Sequence, residues 1–80
     1  MYFVYSLQSE LFPEHYYIGM TSNIIQRLEE HNAGKSTHTN KFKPWKLVAY
    51  IAFTDKLKAE QFEKYLKTGS GRAFSKKRLW

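Results

Sequence analysis

Glu63 is a carboxylate that helical spacing places on an apolar face. Ala59, Phe62 and Leu66 recur at the spacing of one helix face. At 100° per residue, Glu63 lies about 40° from Ala59, inside that stripe. An ionised carboxylate facing a core costs several kcal/mol unless a cation or hydrogen bonds compensate. Glu63 therefore needs a partner, for which a divalent metal or an arginine would serve; a slightly rotated helix with Glu63 in water is equally open.

Arg27 and His31 form a second candidate pair. They are four residues apart in a predicted helix, so their side chains share one face. Together they could grip one phosphate, with a forked contact from arginine and a single bond from histidine. The simpler alternative is a solvated face on which Arg27 pairs with Glu30, and spacing alone favours it.

Tyrosines crowd the first part of the chain. In extended strands, side chains alternate between faces, so Tyr17 shares a face with Gly19. Gly19 removes a side chain there, which lets a ligand or a neighbouring backbone approach. Tyr5 is the other candidate for chemistry, whereas aromatic core packing is the preferred interpretation for Tyr2 and Tyr16.

The elements that must position these residues are a hairpin, a helix, a third strand and two more helices. β-branched and aromatic runs predict strands, and polar residues followed by an apolar stripe predict helices. The expected strands are 2–7, 15–20 and 46–53, and the expected helices run from about 23 to 33, from Thr54 or Asp55 to about 67, and from 72 to 78.

Two details of this order are specific predictions. The nearly continuous apolar run 46–53 predicts an interior strand covered on both faces. Gly69 and Gly71 are expected to break the second helix. The fold class is α+β (α/β), a single domain over 1–80 with a small three-stranded antiparallel sheet flanked by helices, in the order ββαβα plus a short C-terminal helix.

Composition limits the possible functions. The chain has 80 residues, a formal net charge of +6 and no cysteine, which excludes disulfides, thiolate zinc sites and a cysteine nucleophile. The longest apolar stretch, 47–53, is far shorter than the roughly 20 residues of a membrane span. No signal peptide is visible at the N-terminus, so we expect a cytoplasmic protein without a membrane partner.

The positive charge is concentrated in two segments and points to nucleic acid as the partner. Basic residues in these segments could contact backbone phosphates without recognising the base sequence. For any one of them, a merely solvated basic surface is as good an interpretation. The candidates are Lys35, His38, Lys41 and Lys43 in a long loop, and Arg72, Lys76, Lys77 and Arg78 near the C-terminus.

An ordered set of these residues resembles the GIY-YIG nuclease domain family. Phe3-Val4-Tyr5 is followed after eleven residues by Tyr17-Ile18-Gly19, with Phe and Val in place of the first Gly and Ile. Arg27 follows eight residues after Gly19, where the family has its arginine, and many members carry histidine at the position of His31. Glu63 matches the family's metal-binding glutamate. The resemblance covers nearly the whole chain, including the TGSGRAF ending found in small standalone members.

The resemblance implies a metal-dependent endonuclease that hydrolyses phosphodiester bonds, with DNA as the expected nucleic acid. It implies that Glu63 holds one Mg²⁺ or Mn²⁺ and that the Tyr5 hydroxyl takes a proton from, or orients, the attacking water. Tyr17 would hold the phosphate or a metal-bound water, and Arg27, together with His31, would stabilise the transition state.

Two other functions remain open from the sequence. One is a non-catalytic nucleic-acid-binding module that keeps the nuclease fold. The other is a subunit that associates with a larger repair assembly.

Overall fold

The computed structural model describes all 80 residues as a three-stranded sheet with helices on both faces. The elements are β1 (Tyr2–Ser9), β2 (Tyr16–Thr21), α1 (Ile24–Asn32), a short 3-10 helix (Asn40–Phe42), β3 (Trp45–Phe53), α2 (Lys56–Leu66) and α3 (Gly69–Arg78). This order confirms the predicted ββαβα arrangement followed by a C-terminal helix.

The central strand of the sheet is β1, not β3. The antiparallel sheet has the order β2-β1-β3, and residues 4–7 of β1 are all buried. The prediction of an interior strand at 46–53 is therefore wrong: β3 is an edge strand on which Tyr50 is 55% exposed. Apolar composition favours a strand but does not fix its place in a sheet, and the buried Ser6 and Ser9 disguise the true central strand.

Two apolar clusters cover the two faces of the sheet. One joins Val4 and Ile18 of the sheet to Ala59 and Leu66 of α2. The other lies beneath α1 and the loop that follows it; it contains Tyr5, Leu7 and Trp45, with Tyr17, Ile24, Leu28, Phe42 and Leu47 packed against it. Since alternate residues of β1 enter opposite clusters, the strand holds Tyr5 beneath α1 while its neighbours anchor α2.

Side-chain caps fix where the helices begin. Asn23 accepts from the backbone N–H of Gln26 at 3.1 Å and so caps α1. Asp55 accepts from Leu57 at 2.9 Å and caps α2, as the sequence predicts. None of the helices is both long enough and apolar enough to cross a membrane.

α2 ends at Leu66, close to the predicted end near 67, but the two glycines do not form the break. Both lie in the first turn of α3, which Thr68 caps. A Cβ at Gly71 would approach the Leu66 Cα to 2.6 Å and would also collide with the Tyr65 carbonyl. Gly71 therefore allows α3 to pack tightly against the end of α2, and this correction lengthens the last helix by three residues relative to the predicted start at 72.

Candidate active site

A buried hydrogen-bonded chain links β1, α1 and the loop after α1. The Tyr5 hydroxyl lies 3.0 Å from His31 Nε2, and His31 Nδ1 lies 2.7 Å from Thr39 Oγ1. His31 and Thr39 are completely buried and Tyr5 is 3% exposed. If Tyr5 donates to Nε2, a neutral His31 carries its proton on Nδ1 and donates it to Thr39. The chain can therefore pass a proton inward from the phenol.

The protein holds His31 neutral near pH 7. Burial lowers the pKa of His31 below its ordinary value of 6.5, and the nearby Arg27 charge lowers that pKa further. Both ring nitrogens are already engaged inside the fold. This corrects the predicted phosphate grip shared by Arg27 and His31, because His31 has no free nitrogen to offer a phosphate and reaches the site only through Tyr5.

Thr39 is a member of the site that sequence reasoning missed. It lies in a polar loop, and nothing in its immediate sequence distinguishes it from Thr37. Its backbone carbonyl accepts from the Trp45 indole N–H at 2.8 Å, which fixes the loop on the core. Asn32, at the end of α1, also fixes the loop: its side-chain amide donates to the Trp45 carbonyl and accepts from the Trp45 backbone N–H. The role of Thr39 depends on its hydrogen bonds to His31 and Trp45, which the local sequence does not indicate.

Gly19 makes room for Tyr5 rather than for a ligand. The two residues are direct partners in the β1–β2 register. A Cβ at Gly19 would come within 2.6 Å of the Tyr5 Cζ and would also collide with the phenol oxygen. The space that the sequence assigned to a ligand is thus occupied by the Tyr5 side chain, and any larger residue at 19 would displace the phenol from His31.

Tyr17 joins the same cluster from β2. Its ring centroid is 4.9 Å from that of His31 and 6.3 Å from that of Tyr5. Tyr17 is half-buried, so it closes one side of the Tyr5–His31 pair while it stays in contact with solvent. The structure therefore brings together the two tyrosines that the sequence singled out.

Arg27 lies at the open side of this cluster. Its Nη1 contacts Glu30 Oε1 at 3.0 Å, with both side chains about a third exposed, so the predicted alternative pairing is present. Burial raises the pKa of Tyr5 above its ordinary value of 10, while Arg27 opposes that rise. The guanidinium is therefore near the phenol as well as Glu30, and it remains accessible to an anion from solvent.

Glu63 is placed on α2 as the apolar stripe predicts, but its cationic partner is a lysine. Glu63 Oε2 lies 2.6 Å from Lys67 Nζ, and the Glu63 side chain is only 20% exposed. Its negative charge contributes to the raised pKa of Tyr5, so it also acts on the tyrosine site. Its ion-pair partner is Lys67 rather than an arginine, and no cluster of three metal-binding side chains exists in the structure.

The remaining candidate residues lie around the site as separate exposed groups. Lys35, His38, Lys41 and Lys43 lie on the loop after α1, and Arg72, Lys76, Lys77 and Arg78 are exposed on α3. None of them makes an ion pair within the chain, so all are available to contact an anion such as a backbone phosphate.

The fold and site together define an α+β domain with a buried tyrosine–histidine pair, an arginine paired with Glu30, and Glu63 on α2. A family model for the GIY-YIG catalytic domain matches residues 1–78. The chain belongs to the GIY-YIG catalytic domain family.

Its relatives include larger proteins with related names. The structure-specific endonuclease subunits SLX1 of Meyerozyma guilliermondii and Scheffersomyces stipitis are each 41% identical over an alignment of 69 residues; the match covers 78% of this chain and 23% and 20% of those proteins. The structure-specific endonuclease subunit SLX1 homolog of Giardia intestinalis is 36% identical over 55 residues, 64% of this chain and 15% of that protein. The chain thus spans less than a quarter of the length of these curated relatives.

Replacing Thr39 by valine is expected to slow catalysis by about tenfold, the equivalent of one hydrogen bond of about 1 to 1.5 kcal/mol. Valine keeps the shape and removes the group that orients His31 Nδ1. Thr39→Ser restores the hydroxyl and should restore most of the rate, whereas a purely steric role would favour valine. The measurement is the single-turnover rate against pH.

The pH profile supplies the second readout of this prediction. If His31 accepts a proton from Tyr5 during cleavage, it must be neutral to do so, and the rate should fall as pH drops through the lowered pKa of His31, below 6.5. A valine variant as fast as wild type across this range would remove Thr39 from the chain.

Proposed function

We propose that this chain is a divalent-metal-dependent endonuclease that hydrolyses phosphodiester bonds in DNA. The observation that carries the proposal is the buried Tyr5–His31–Thr39 chain, flanked by the partly exposed Tyr17 and Arg27. A domain that only bound nucleic acid would have no need for a neutral, buried histidine bonded to a phenol. Membership of a catalytic domain family supports the same conclusion.

Tyr5 acts as the proton acceptor for the attacking water. Because burial raises its pKa, Tyr5 is a neutral phenol at pH 7 and is a weak base by itself. His31 removes this difficulty: as water gives a proton to the Tyr5 oxygen, the phenol proton moves to His31 Nε2. The water becomes the nucleophile, and the new charge on the imidazolium is stabilised through its Nδ1–H bond to Thr39.

Arg27 binds the phosphodiester and stabilises the charge that develops on it. Its present partner Glu30 is about a third exposed, so exchange for a phosphate costs little. The bound phosphate also neutralises the Arg27 charge that lowers the His31 pKa, which makes His31 a better proton acceptor when substrate is present. Tyr17 contacts the pair from β2 and helps to orient the phosphate.

Glu63 is the residue that would hold the metal ion. The donor set fits Mg²⁺ or Mn²⁺, because such ions take oxygen ligands and keep several waters, so that one carboxylate and the substrate phosphate suffice. Glu63 Oε2 contacts Lys67, while Oε1 has no hydrogen-bond partner and is free for an ion. When bound, the ion would supply Lewis-acid stabilisation of the phosphate and leaving oxygen.

The basic surface and the relatives together support a substrate class. The basic residues are spread out along the loop after α1 and along α3, which suits contacts to backbone phosphates rather than to base edges. Relatives named as subunits of a structure-specific endonuclease support branched or flapped DNA as the substrate. They also support association of this chain with a larger assembly.

The test is cleavage of end-labelled duplex, flap, junction and single-stranded DNA, with matching RNA, in Mg²⁺, Mn²⁺ or EDTA. We expect cleavage of the flap or junction with either ion and none in EDTA. Binding of these substrates without cleavage in any ion would identify a non-catalytic module instead.

Binding in EDTA should weaken steeply as salt increases, because each phosphate that the protein neutralises releases condensed counterions. Changing Lys76, Lys77 and Arg78 together to glutamine should reduce the slope of log affinity against log salt by about 0.9 for each of these side chains that binds a phosphate of duplex DNA. The matched control changes Lys56, Lys58 and Lys64 of α2, which removes the same charge. Equal slopes for the two triple variants would contradict a specific role for the end of α3.

A further inference from the structure

A cleft of about 500 Å³ lies between β2 and the junction of α2 with α3. Its walls include Tyr16, Ile18, Leu66, Arg72 and Trp80, and we call it the Trp80 cleft. This volume lies in the range of about 300 to 1,000 Å³ that small-molecule sites occupy. Neither the tyrosine–histidine pair nor the predicted metal ligand accounts for it.

An aromatic pair forms one wall of the Trp80 cleft. The Tyr16 and Trp80 rings stack with their centroids 3.9 Å apart and their planes 8° apart. The Trp80 indole N–H donates to Ser6 Oγ at 2.8 Å, so the ring is held in place from the centre of the sheet. Trp80 nevertheless remains 37% exposed. A fixed, partly exposed aromatic surface is a platform on which another flat ring can stack.

The charges of the cleft favour an anion. Arg72 is exposed and makes no ion pair with any residue of the chain. Lys67, on the same side, contacts Glu63. The acidic member of the lining is Glu14, which points mostly into solvent and lies 3.9 Å from His15. An unpaired guanidinium beside an aromatic platform is the combination that binds one phosphate and one base.

We propose that the Trp80 cleft binds one unpaired nucleotide of a DNA strand, with its base on the Tyr16–Trp80 pair and its phosphate on Arg72. This inference rests on the proposed nuclease function and specifies that the domain recognises an unpaired nucleotide of its substrate. A base inside a duplex has both faces covered by its neighbours, so only an unpaired base can stack there. Stacking on the aromatic pair does not depend on which base is present, because every base has a flat aromatic face.

The position of the cleft connects it to catalysis. Tyr17 lines it and also contacts His31. Lys67 lines it and also holds Glu63. The cleft therefore shares Tyr17 with the tyrosine–histidine cluster and Lys67 with the proposed metal ligand. The domain would then cut next to a single-stranded segment, as at a flap or the branch point of a junction.

The test measures binding in EDTA by fluorescence anisotropy, with two labelled probes of about 12 nucleotides. One is oligothymidine and the other is an abasic strand of the same length and charge. Wild type should bind oligothymidine about tenfold more tightly than the abasic strand, since the latter has no base to stack on the aromatic pair. Trp80→Ala should remove this preference, and Trp80→Phe, which keeps a ring, should retain part of it.

Arg72→Gln tests the proposed phosphate contact. It should weaken binding of both probes more than Lys58→Gln, which removes the same charge about two turns before the cleft on α2. Thermal melts establish that each variant is folded. Trp80→Ala with an unchanged preference, or equal effects of Arg72→Gln and Lys58→Gln, would overturn the proposal.

These outcomes are separate from those of the cleavage assay. A wild-type protein that cleaves flaps or junctions but binds both probes equally would refute the cleft and leave the nuclease function standing. A Trp80-dependent preference in a protein that cuts no substrate would support the cleft and refute the nuclease.

Discussion

Replacing Arg27 by alanine is expected to slow DNA cleavage by about 10²- to 10³-fold, the usual effect of removing one well-placed donor to a developing negative charge. Arg27 is the cation that lowers the pKa of the Tyr5 phenol, and its side chain is about a third exposed. Because the Arg27–Glu30 pair is partly exposed, its removal should change the free energy of unfolding by no more than about 1 kcal/mol. The variant therefore reports on chemistry rather than folding.

Glu30→Gln is the matched control for Arg27. It breaks the same ion pair but leaves the guanidinium in place. We expect its single-turnover rate to stay within a few-fold of wild type, or to rise as Arg27 becomes free for phosphate. An Arg27→Ala protein that cleaves within tenfold of wild type would remove Arg27 from the mechanism.

Tyr5→Phe is expected to reduce cleavage by several orders of magnitude, because it removes the oxygen through which water passes its proton to His31. The change also leaves His31 Nε2 buried without a partner. That orphaned nitrogen should lower the free energy of unfolding by about 1 to 3 kcal/mol. The protein should therefore melt at a lower temperature but remain folded and still bind DNA in EDTA.

Tyr50→Phe provides the control for this variant. It removes the same hydroxyl from the exposed cross-strand partner of Tyr5 on β3, which makes no hydrogen bond to His31. Its melting temperature and cleavage rate should match those of wild type. A Tyr5→Phe protein that retains cleavage would assign Tyr5 to core packing alone.

Spacing alone singled out Arg27 and Glu63 but left a purely structural alternative open for each, and only the ordered resemblance to the family joined them with Tyr5 and Tyr17 as one site. The structure brings Tyr5 and Tyr17 together on β1 and β2. The role of His31 could not be read in the same way. Helical spacing predicts which face a residue shares, but it does not reveal that a loop residue closes over that face and buries it.

Contacts between distant parts of the chain explain the other differences. The Thr39 hydroxyl meets His31 only because Trp45 anchors the loop, and Tyr16 meets Trp80 across nearly the full length of the chain. The order of strands was likewise hidden, since Ser6 is buried at the centre of the sheet while apolar β3 lies at its edge. Local sequence patterns predict the helices and strands, whereas long-range packing decides which side chains become neighbours.

The proposed metal ligand provides the central test, because the mechanism needs a divalent ion at Glu63. Glu63→Gln keeps the shape and removes the charge. Its partner Lys67 is half exposed, so the metal-free protein should lose no more than about 1 kcal/mol of stability. Glu60→Gln, on the same helix, removes an equal charge without touching Lys67 and is the control.

The measurement is the melting temperature of wild type, Glu63→Gln and Glu60→Gln with and without Mn²⁺. At a Mn²⁺ concentration ten times its Kd, wild type and Glu60→Gln should gain about 1.4 kcal/mol. For a domain of this size that gain is a rise of about 5 to 10 °C in melting temperature. Glu63→Gln should show no rise. The same Mn²⁺-induced rise in Glu63→Gln as in wild type would contradict Glu63 as the ligand, and with it the nuclease mechanism proposed for this site.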